Sequence, residues 1–149
     1  SLADDFSEVD IIRPGNFAFY DLVQSRIGSF PLDDIEVCMA CPVVEKRPER
    51  GAVIIHGGAV HFSKDALQEE DGPLYGRVVP LHNKGWDEPL SGCYLSSMSQ
   101  EHGILKLSPN VLESVKVGDW LGILPVHSCL TANLMHQYYT LNGQAFTMM

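Results

Sequence analysis

The chain has 149 residues, of which 45% are hydrophobic and 9% aromatic, and its ten basic and nineteen acidic side chains give a net charge of −9 at pH 7. A chain of this size and composition is one globular domain, or one domain with an appendage, and needs no disulfide or metal in order to fold. Its acidic surface repels phosphate backbones and anionic lipids, which argues against nucleic acid or a membrane surface as a partner.

The N-terminal segment has the pattern of a β/α unit. Two isoleucines precede an Arg-Pro-Gly-Asn run at 13–16, which predicts the end of a strand that enters a tight turn. Apolar residues at near-helical spacing then extend from Phe17 to Ile27 and stop at Gly28, which predicts a short helix. Free backbone N–H groups at such a helix start bind phosphate well, although a Pro-Gly turn alone is a weak signal.

After Pro31 the chain consists of short segments rich in β-branched residues and separated by Gly, Pro and Asp. Strands are predicted at 35–44, 51–60, 76–80, 93–95, 103–107 and 120–124, with a C-terminal hairpin at 138–148 around an Asn-Gly turn. Loops are predicted at 64–72 and 82–92. This pattern predicts a mainly β protein, either an antiparallel barrel or a sandwich.

The segment 125–134, Pro-Val-His-Ser-Cys-Leu-Thr-Ala-Asn-Leu, is the most informative one for chemistry. If it is an extended strand, His127, Cys129, Thr131 and Asn133 share one face. An imidazole and a thiolate two residues apart on a strand face reach a single zinc ion, and two protein ligands leave positions open for water or substrate. The alternative is a buried His and Cys that fill the barrel interior.

Two further segments carry polar groups next to glycine. In the run 99–103, Glu101 and His102 precede a glycine. These two residues either take part in acid–base chemistry or orient a ligand, or they are simply exposed residues of a turn. His56 precedes Gly57 and Gly58, and adjacent glycines permit positive φ and close backbone approach. Two interpretations remain open: a ligand or another chain passes close to these glycines, or the glycines form a bulge at a barrel corner.

The pair Cys38 and Cys41 has the spacing of a redox or zinc motif, but no second pair lies at a matching distance. The surrounding residues predict a strand. We therefore interpret these cysteines as structural thiols.

Together these segments resemble a known family. The Arg-Pro-Gly-Asn run and Tyr20 resemble the segment that ends the β/α barrel in alanine-racemase-fold enzymes that use pyridoxal 5'-phosphate. The segments 99–103 and 125–134, with the Val-Gly-Asp turn at 117–119 between them, resemble motifs of the eukaryotic-type D-serine dehydratase and D-threonine aldolase family. The His-x-Cys-x-Thr-x-Asn-Leu stretch is the most specific part, and the resemblance spans nearly the whole chain.

The resemblance implies roles for individual residues. His127 and Cys129 are expected to hold a divalent metal, usually zinc. Gly15 and Asn16 are expected to offer backbone amides to the cofactor phosphate. Arg13 stands where alanine racemases place an arginine that faces the cofactor's pyridine nitrogen.

The resemblance also implies the architecture. Residues 31–149 are expected to form the antiparallel β-barrel-like C-terminal domain of a fold-type III pyridoxal-phosphate enzyme. Residues 1–30 would be the last strand and helix of a β/α barrel that is missing from this chain. A complete β/α barrel takes about 250 residues, and the family's Schiff-base lysine lies in its early part. We therefore expect the chain to be a fragment that is inactive alone, and Lys64 is no candidate for that lysine.

The implied reaction is the dehydration or cleavage of a D-β-hydroxy-amino acid, with the metal polarising the β-hydroxyl. Glu101, His102 and His56 are supporting candidates that orient the substrate or a metal-bound water. Two departures leave the substrate open. The stretch Ile-Ile-His-Gly-Gly at 54–58 stands where aldolase-like relatives often have an Asp-Ala-Gly triplet, and Met-His at 135–136 stands where many relatives have His-Asp.

The alternatives are an amino-acid racemase of the same fold, and a non-catalytic β-domain that binds a ligand or partner. A racemase would not need the metal. A homodimer is expected from the family. A cytoplasmic setting is expected from four cysteines and from the lack of any apolar run near the ~18 residues of a membrane span.

Overall fold

The computed structural model describes residues 5–13 and 15–147, and its centre is a closed barrel of six antiparallel strands. The strands are β1 (Met39–Arg47), β2 (Ala52–His56), β3 (Leu67–Glu69), β4 (Gly72–Leu74), β5 (Gly76–Val79), β6 (Leu81–His82), β7 (Gly85–Trp86), β8 (Tyr94–Met98), β9 (His102–Lys106), β10 (Trp120–Pro125), β11 (Gln137–Tyr139) and β12 (Ala145–Thr147). The barrel order is β1-β10-β5-β8-β9-β2. The predicted mainly β fold with an antiparallel barrel is confirmed.

In the described part of the chain, four short helices accompany the barrel: α1 (Leu22–Arg26), α2 (Ala59–Phe62), α3 (Pro109–Ser114) and α4 (Ser128–Met135). Single 3-10 turns lie at Leu32–Asp34 and Pro48–Arg50. Over the described ranges, no helix is long and apolar enough to cross a bilayer.

The barrel interior is the main hydrophobic core. On β9, Gly103 and Leu105 are buried while the residues between and beside them are exposed, as expected for a strand with one face inward. The partner strand β2 contributes Val53 and Ile55, both fully buried. The core is therefore built from alternate residues of neighbouring strands.

A second core lies on the outer face of the barrel, beneath α1. Val79 on β5 and Leu124 on β10 are buried there, although their neighbours Val78 and Ile123 point into the barrel. Leu22 of α1 completes this outer cluster. Both faces of β5 and β10 are thus covered, which fixes α1 and the turn before it onto the barrel.

The predicted strand at the N-terminus is not formed in residues 11–13. Ile11 and Ile12 are instead exposed, at 70% and 60%. A strand is stable only when its backbone groups pair with a neighbour, and nothing within the described residues offers that pairing here. The following helix is shorter than predicted, since α1 begins after Asp21, and Gly28 ends the segment with φ +78° as predicted. Pro14 of the predicted turn lies outside the described residues.

Three other predictions are refined. The segment 51–60 ends as a strand at His56, and α2 begins at Ala59. The predicted loops at 64–72 and 82–92 contain parts of two short hairpins, β3–β4 and β6–β7, whose strands are too short to show a clear alternation. The C-terminal hairpin is confirmed as β11–β12, with Gly143 at φ +84° in the turn. Met148 of that prediction lies outside the described residues.

The prediction of an extended strand over 125–134 is wrong. Pro125 ends β10, and residues 128–135 form α4. Its buried residues are Ser128, Thr131 and Ala132, which have the i, i+3, i+4 spacing of one helix face. His127 is the N-cap residue, with an extended backbone. His127 and Cys129 therefore do not share a strand face, although both lie at the start of one helix.

Candidate functional site

The side chain of His127 is in contact with a carboxylate from a distant part of the chain. Nδ1 of His127 lies 2.8 Å from Oδ2 of Asp65, and the two side chains are 40% and 47% exposed. An ionised carboxylate only accepts hydrogen bonds, so this geometry calls for a proton on Nδ1 of the imidazole. The lone pair of the neutral ring then lies on Nε2.

The approach of Asp65 to His127 depends on how α2 ends. Ser63, the residue after α2, has φ 72° and ψ −166°, a backbone conformation that glycine favours. Its hydroxyl oxygen accepts a 3.3 Å hydrogen bond from the backbone N–H of Asp65. In addition, Oγ1 of Thr131 on α4 lies 3.4 Å from the carbonyl oxygen of Phe62, to which it donates. The packing of α2 on α4 thus brings Asp65 to the start of α4.

Cys129 lies on the first turn of α4 and is exposed. Partial burial of the thiol raises its pKa, and the negative charge of Asp21 raises it further. The thiol is therefore protonated near neutral pH and must release its proton to bind a metal. Among the described residues, no three His, Cys, Asp or Glu side chains stand close enough to hold an ion between them.

The residues at the start of α4 nevertheless fit a zinc ion by their chemistry. An imidazole nitrogen and a sulfur are ligands that zinc favours. Zinc-bound histidines almost always donate their second ring nitrogen to a carboxylate, carbonyl or water, and Asp65 occupies that position beside His127. The predicted metal role of His127 and Cys129 stays a prediction, on a helix start rather than a strand face.

A buried hydrogen-bond network connects the predicted cofactor turn to α4. Asn16 and Asp21 are both buried, and Nδ2 of Asn16 donates to Oδ2 of Asp21. The same Oδ2 accepts a 3.1 Å hydrogen bond from the backbone N–H of Ser128, whose hydroxyl donates to Oδ1 of Asn16 at 2.8 Å. Oδ1 of Asp21 caps α1 by accepting from Gln24 N–H at 3.0 Å. Ser128 stands between His127 and Cys129, so the two predicted sites are held together.

This network limits how Asn16 can meet a phosphate. Its side-chain amide is engaged with Asp21 and Ser128, which leaves the backbone N–H for an anion. The amides of Gly15 and Asn16 donate to no protein oxygen within residues 5–13 and 15–147. A Cβ added at Gly15 would meet nothing within 4 Å, so this side of the turn is open. Arg13 is exposed. The cofactor roles of these three residues stay predictions.

Three histidines cluster where β2 ends and β9 begins. His56 and His102 are partners across the β2–β9 pair, and their ring centroids are 5.8 Å apart. His61 on α2 packs edge-on against His56 at 5.0 Å. Burial lowers the pKa of His61, and the charge of His56 lowers it further, while the nearby Glu101 opposes both effects. The structure thus brings the predicted residues His56, Glu101 and His102 together, and their supporting role stays a prediction.

The two glycines after His56 serve close approach rather than positive φ. Neither has a positive φ. A Cβ on Gly58 would lie 2.6 Å from backbone atoms of residues 100–102, and Gly57 N–H donates to the Glu101 carbonyl at 2.9 Å. The segment that passes nearby is therefore the chain's own turn at 99–102.

The interpretation of Cys38 and Cys41 as structural thiols agrees with their surroundings. Cys41 is buried in the barrel core and Cys38 is half-buried. Burial raises the pKa of each thiol to about 12. Neither thiol is ionised near neutral pH, as a metal ligand or redox nucleophile would be.

Asp21, Asp65, Ser128 and His61 were not identified from the sequence. For Asp21 a signal was present, since an aspartate directly before a short apolar helix is a preferred N-cap. Asp65 lies in a polar segment and approaches His127 only through the packing of two helices, which no local pattern encodes.

This fold, with the turn at 15–16 and the start of α4 joined on one side of the barrel, is that of the C-terminal barrel domain of alanine-racemase-like proteins. An alanine racemase-like protein from Idiomarina loihiensis superimposes with a TM-score of 0.81 and 30% identity, over 96% of this chain and 39% of that one. Residues 37–141 match the model of the family described as "Putative serine dehydratase domain", and the chain belongs to that family.

Two relatives with assigned activities are similar over most of the chain. A D-serine dehydratase from Dictyostelium discoideum is 30% identical over 91% of this chain and 34% of its own length. A D-threo-3-hydroxyaspartate dehydratase from Delftia sp. HT23 superimposes with a TM-score of 0.71 and 27% identity, over 87% of this chain and 35% of its own. Structures described as a D-threo-3-hydroxyaspartate dehydratase also include a cysteine-to-alanine mutant in the metal-free form and a histidine-to-alanine mutant. The chain spans about a third of the length of the curated relatives it matches.

Proposed function

We propose that this chain is the C-terminal domain of a pyridoxal-phosphate-dependent lyase that removes water from a D-β-hydroxy-amino acid. The similarity to a D-serine dehydratase and a D-threo-3-hydroxyaspartate dehydratase supports dehydration over the other reactions of this fold. The observation that carries the proposal is the bond from Ser128 to Asp21, because it joins the predicted cofactor turn to the predicted metal ligands.

The proposal includes the division of the chain into a barrel remnant at 1–30 and a β-barrel domain of the D-serine dehydratase type at 31–149. The exposure of large apolar side chains in the first segment supports it. Ile11, Ile12 and Phe17 are 70%, 60% and 63% exposed. Several large apolar side chains exposed to water within one short segment are consistent with a surface that another structural unit covers, and a preceding β/α barrel is the unit we propose.

The proposed metal site consists of His127 and Cys129. In the mutant structures of a D-threo-3-hydroxyaspartate dehydratase, the histidine and the cysteine that were replaced stand two positions apart, which is also the spacing of His127 and Cys129. The contact of His127 with Asp65 leaves Nε2 as the ligating nitrogen, and Cys129 lies on the first turn of the same helix.

When bound, the cofactor would stabilise negative charge at the substrate's α-carbon, and zinc would polarise the β-hydroxyl that leaves. The proposed task of this chain's own residues is to bind the cofactor phosphate and to orient the substrate. The open amides of Gly15 and Asn16 would hold the phosphate, and Asp21 keeps this turn against α4. His56, His102 and Glu101 form the polar cluster that we propose orients the substrate or a bound water.

The proposal is tested on the whole protein encoded by the gene that carries this chain. Incubation with D-serine and with D-threo-3-hydroxyaspartate is expected to release ammonia and a 2-oxo acid. An aldolase would instead release glycine and an aldehyde from D-threonine, and a racemase would produce the L-enantiomer. A protein without the yellow cofactor absorbance would favour the non-catalytic β-domain. Inactivity of the isolated chain, a homodimer and a cytoplasmic setting stay predictions.

A further inference from the structure

We infer that Asp65 is a positioning residue of the metal site, whose carboxylate holds the His127 imidazole with Nδ1 protonated and so presents Nε2 to the metal. This inference rests on the proposed function, since it assumes that His127 is a ligand. The inference goes beyond the proposed function because it assigns the orientation and the tautomer of His127 to one acidic side chain 62 positions away.

The contact itself carries the inference. Oδ2 of Asp65 lies 2.8 Å from Nδ1 of His127, within the range of a charge-assisted hydrogen bond. Without such a partner, a neutral imidazole places its proton on either nitrogen, and the tautomer with the proton on Nε2 cannot bind a metal through that atom. The carboxylate removes this ambiguity before any metal arrives.

The backbone around Asp65 is built to hold this contact. Ser63 has a positive φ that serine adopts at a cost, and its hydroxyl oxygen accepts from the N–H of Asp65. A residue persists in such a conformation only where the surrounding structure requires it. Here α2 packs on α4 through Thr131 and Phe62, and Ser63 turns the chain back toward His127.

A second carboxylate–histidine pair offers a matched control. Oδ1 of Asp87 lies 3.4 Å from Nε2 of His82, and both side chains are exposed. This pair is near β6 and β7, where no metal role is proposed. Replacing Asp87 removes an acidic partner of a histidine just as replacing Asp65 does, with the same change in net charge.

The first measurement is the zinc dissociation constant of the whole protein, determined by competition with a colorimetric zinc chelator. We expect Asp65→Ala to weaken zinc binding about 10- to 100-fold, the usual effect of removing an outer-shell partner. Asp65→Asn retains an acceptor oxygen without the charge, so its effect should be smaller. Asp87→Asn should leave the zinc dissociation constant within about twofold of the wild type, because only residues that contact a metal ligand are expected to affect zinc binding in this way. Equal urea midpoints in all variants show that the fold is intact.

The second measurement is the tautomer of His127 in the zinc-free protein, read from nitrogen-15 chemical shifts above pH 8. His127 should carry its proton on Nδ1. His61 is an internal reference of opposite type, because its Nδ1 accepts a hydrogen bond from Gly58 N–H at 3.1 Å and its proton lies on Nε2. Asp65→Ala should move His127 toward the Nε2-protonated form and leave His61 unchanged.

The outcomes separate this inference from the proposed function. Zinc bound equally well by the wild type and Asp65→Ala would overturn the inference and leave the metal proposal standing. Weaker binding with an unchanged His127 tautomer would also overturn it, because the carboxylate would then act only through its charge. A wild-type protein that binds no zinc would end the metal proposal, and the role of Asp65 with it.

Discussion

The backbone N–H of Ser128 donates a 3.1 Å hydrogen bond to Oδ2 of Asp21, although the two residues are 107 positions apart. Asp21 caps α1, which follows the glycine turn, and Ser128 is the first residue of α4. One buried carboxylate therefore accepts from two helix starts. This contact fixes the relative position of the turn that we propose binds phosphate and the helix start that we propose binds zinc.

Asp21→Asn is expected to destabilise the domain by about 1–3 kcal/mol, the usual effect of leaving a buried polar group unsatisfied. Asp21 accepts hydrogen bonds from Asn16, Gln24 and Ser128. An amide in its place has only one acceptor oxygen and turns an N–H group toward one of these donors. The measurement is the free energy of unfolding in urea. The exposed Asp71 provides the control, and Asp71→Asn should stay within about 0.5 kcal/mol of the wild type. A similarly small change at Asp21 would contradict this account of the network.

Gly58→Ala is expected to lower stability by about 1–3 kcal/mol or more, as overpacking does. The added Cβ would lie 2.6 Å from three backbone atoms of residues 100–102, which belong to a paired turn and have no side-chain freedom to yield. Gly15→Ala is the matched control, since its Cβ would meet nothing within 4 Å. The two midpoints of thermal unfolding are compared. If both variants melt together with the wild type, the close approach at Gly58 is not as described.

The four cysteines are expected to differ sharply in reactivity toward a disulfide reagent near neutral pH. Cys129 is exposed and should react first, and bound zinc should protect it. Cys38 and Cys41, with pKa values raised to about 12 by burial, and the buried Cys93 should react only after unfolding. Mass-spectrometric mapping of the labelled cysteines in the folded protein shows which of these four thiols react fast. Fast labelling of Cys38, Cys41 or Cys93, or slow labelling of Cys129 in the zinc-free protein, would disagree with the structure.

The barrel was predictable because its strands carry the information locally. Runs such as 52–55 and 103–107 contain branched side chains next to a glycine, and most of these residues lie in β2 and β9. The face that each residue of β9 occupies is less evident, since Leu105 is buried while its apolar neighbour Ile104 is 38% exposed. The closed strand order was not predictable, since it depends on pairings between segments far apart in the chain.

The error at α4 has a specific physical cause. The residues on its buried face, Ser128, Thr131 and Ala132, are small or polar, while Leu130 and Leu134 are over a third exposed. Hydrophobic periodicity was therefore masked, and the alternation of His127 and Cys129 with apolar neighbours imitated a strand. The residue types were sufficient to suggest a metal site, but the sequence pattern did not place Asp65 beside it.

The most direct test of the account is the zinc content of the purified whole protein in matched histidine variants. His127→Asn keeps a favourable N-cap on α4, and His136→Asn changes the histidine at the other end of the same helix, where asparagine tolerates the positive φ. We expect about one zinc per chain in the wild type and in His136→Asn, and less than about a tenth of that in His127→Asn. Equal zinc in the wild type and His127→Asn would contradict the account.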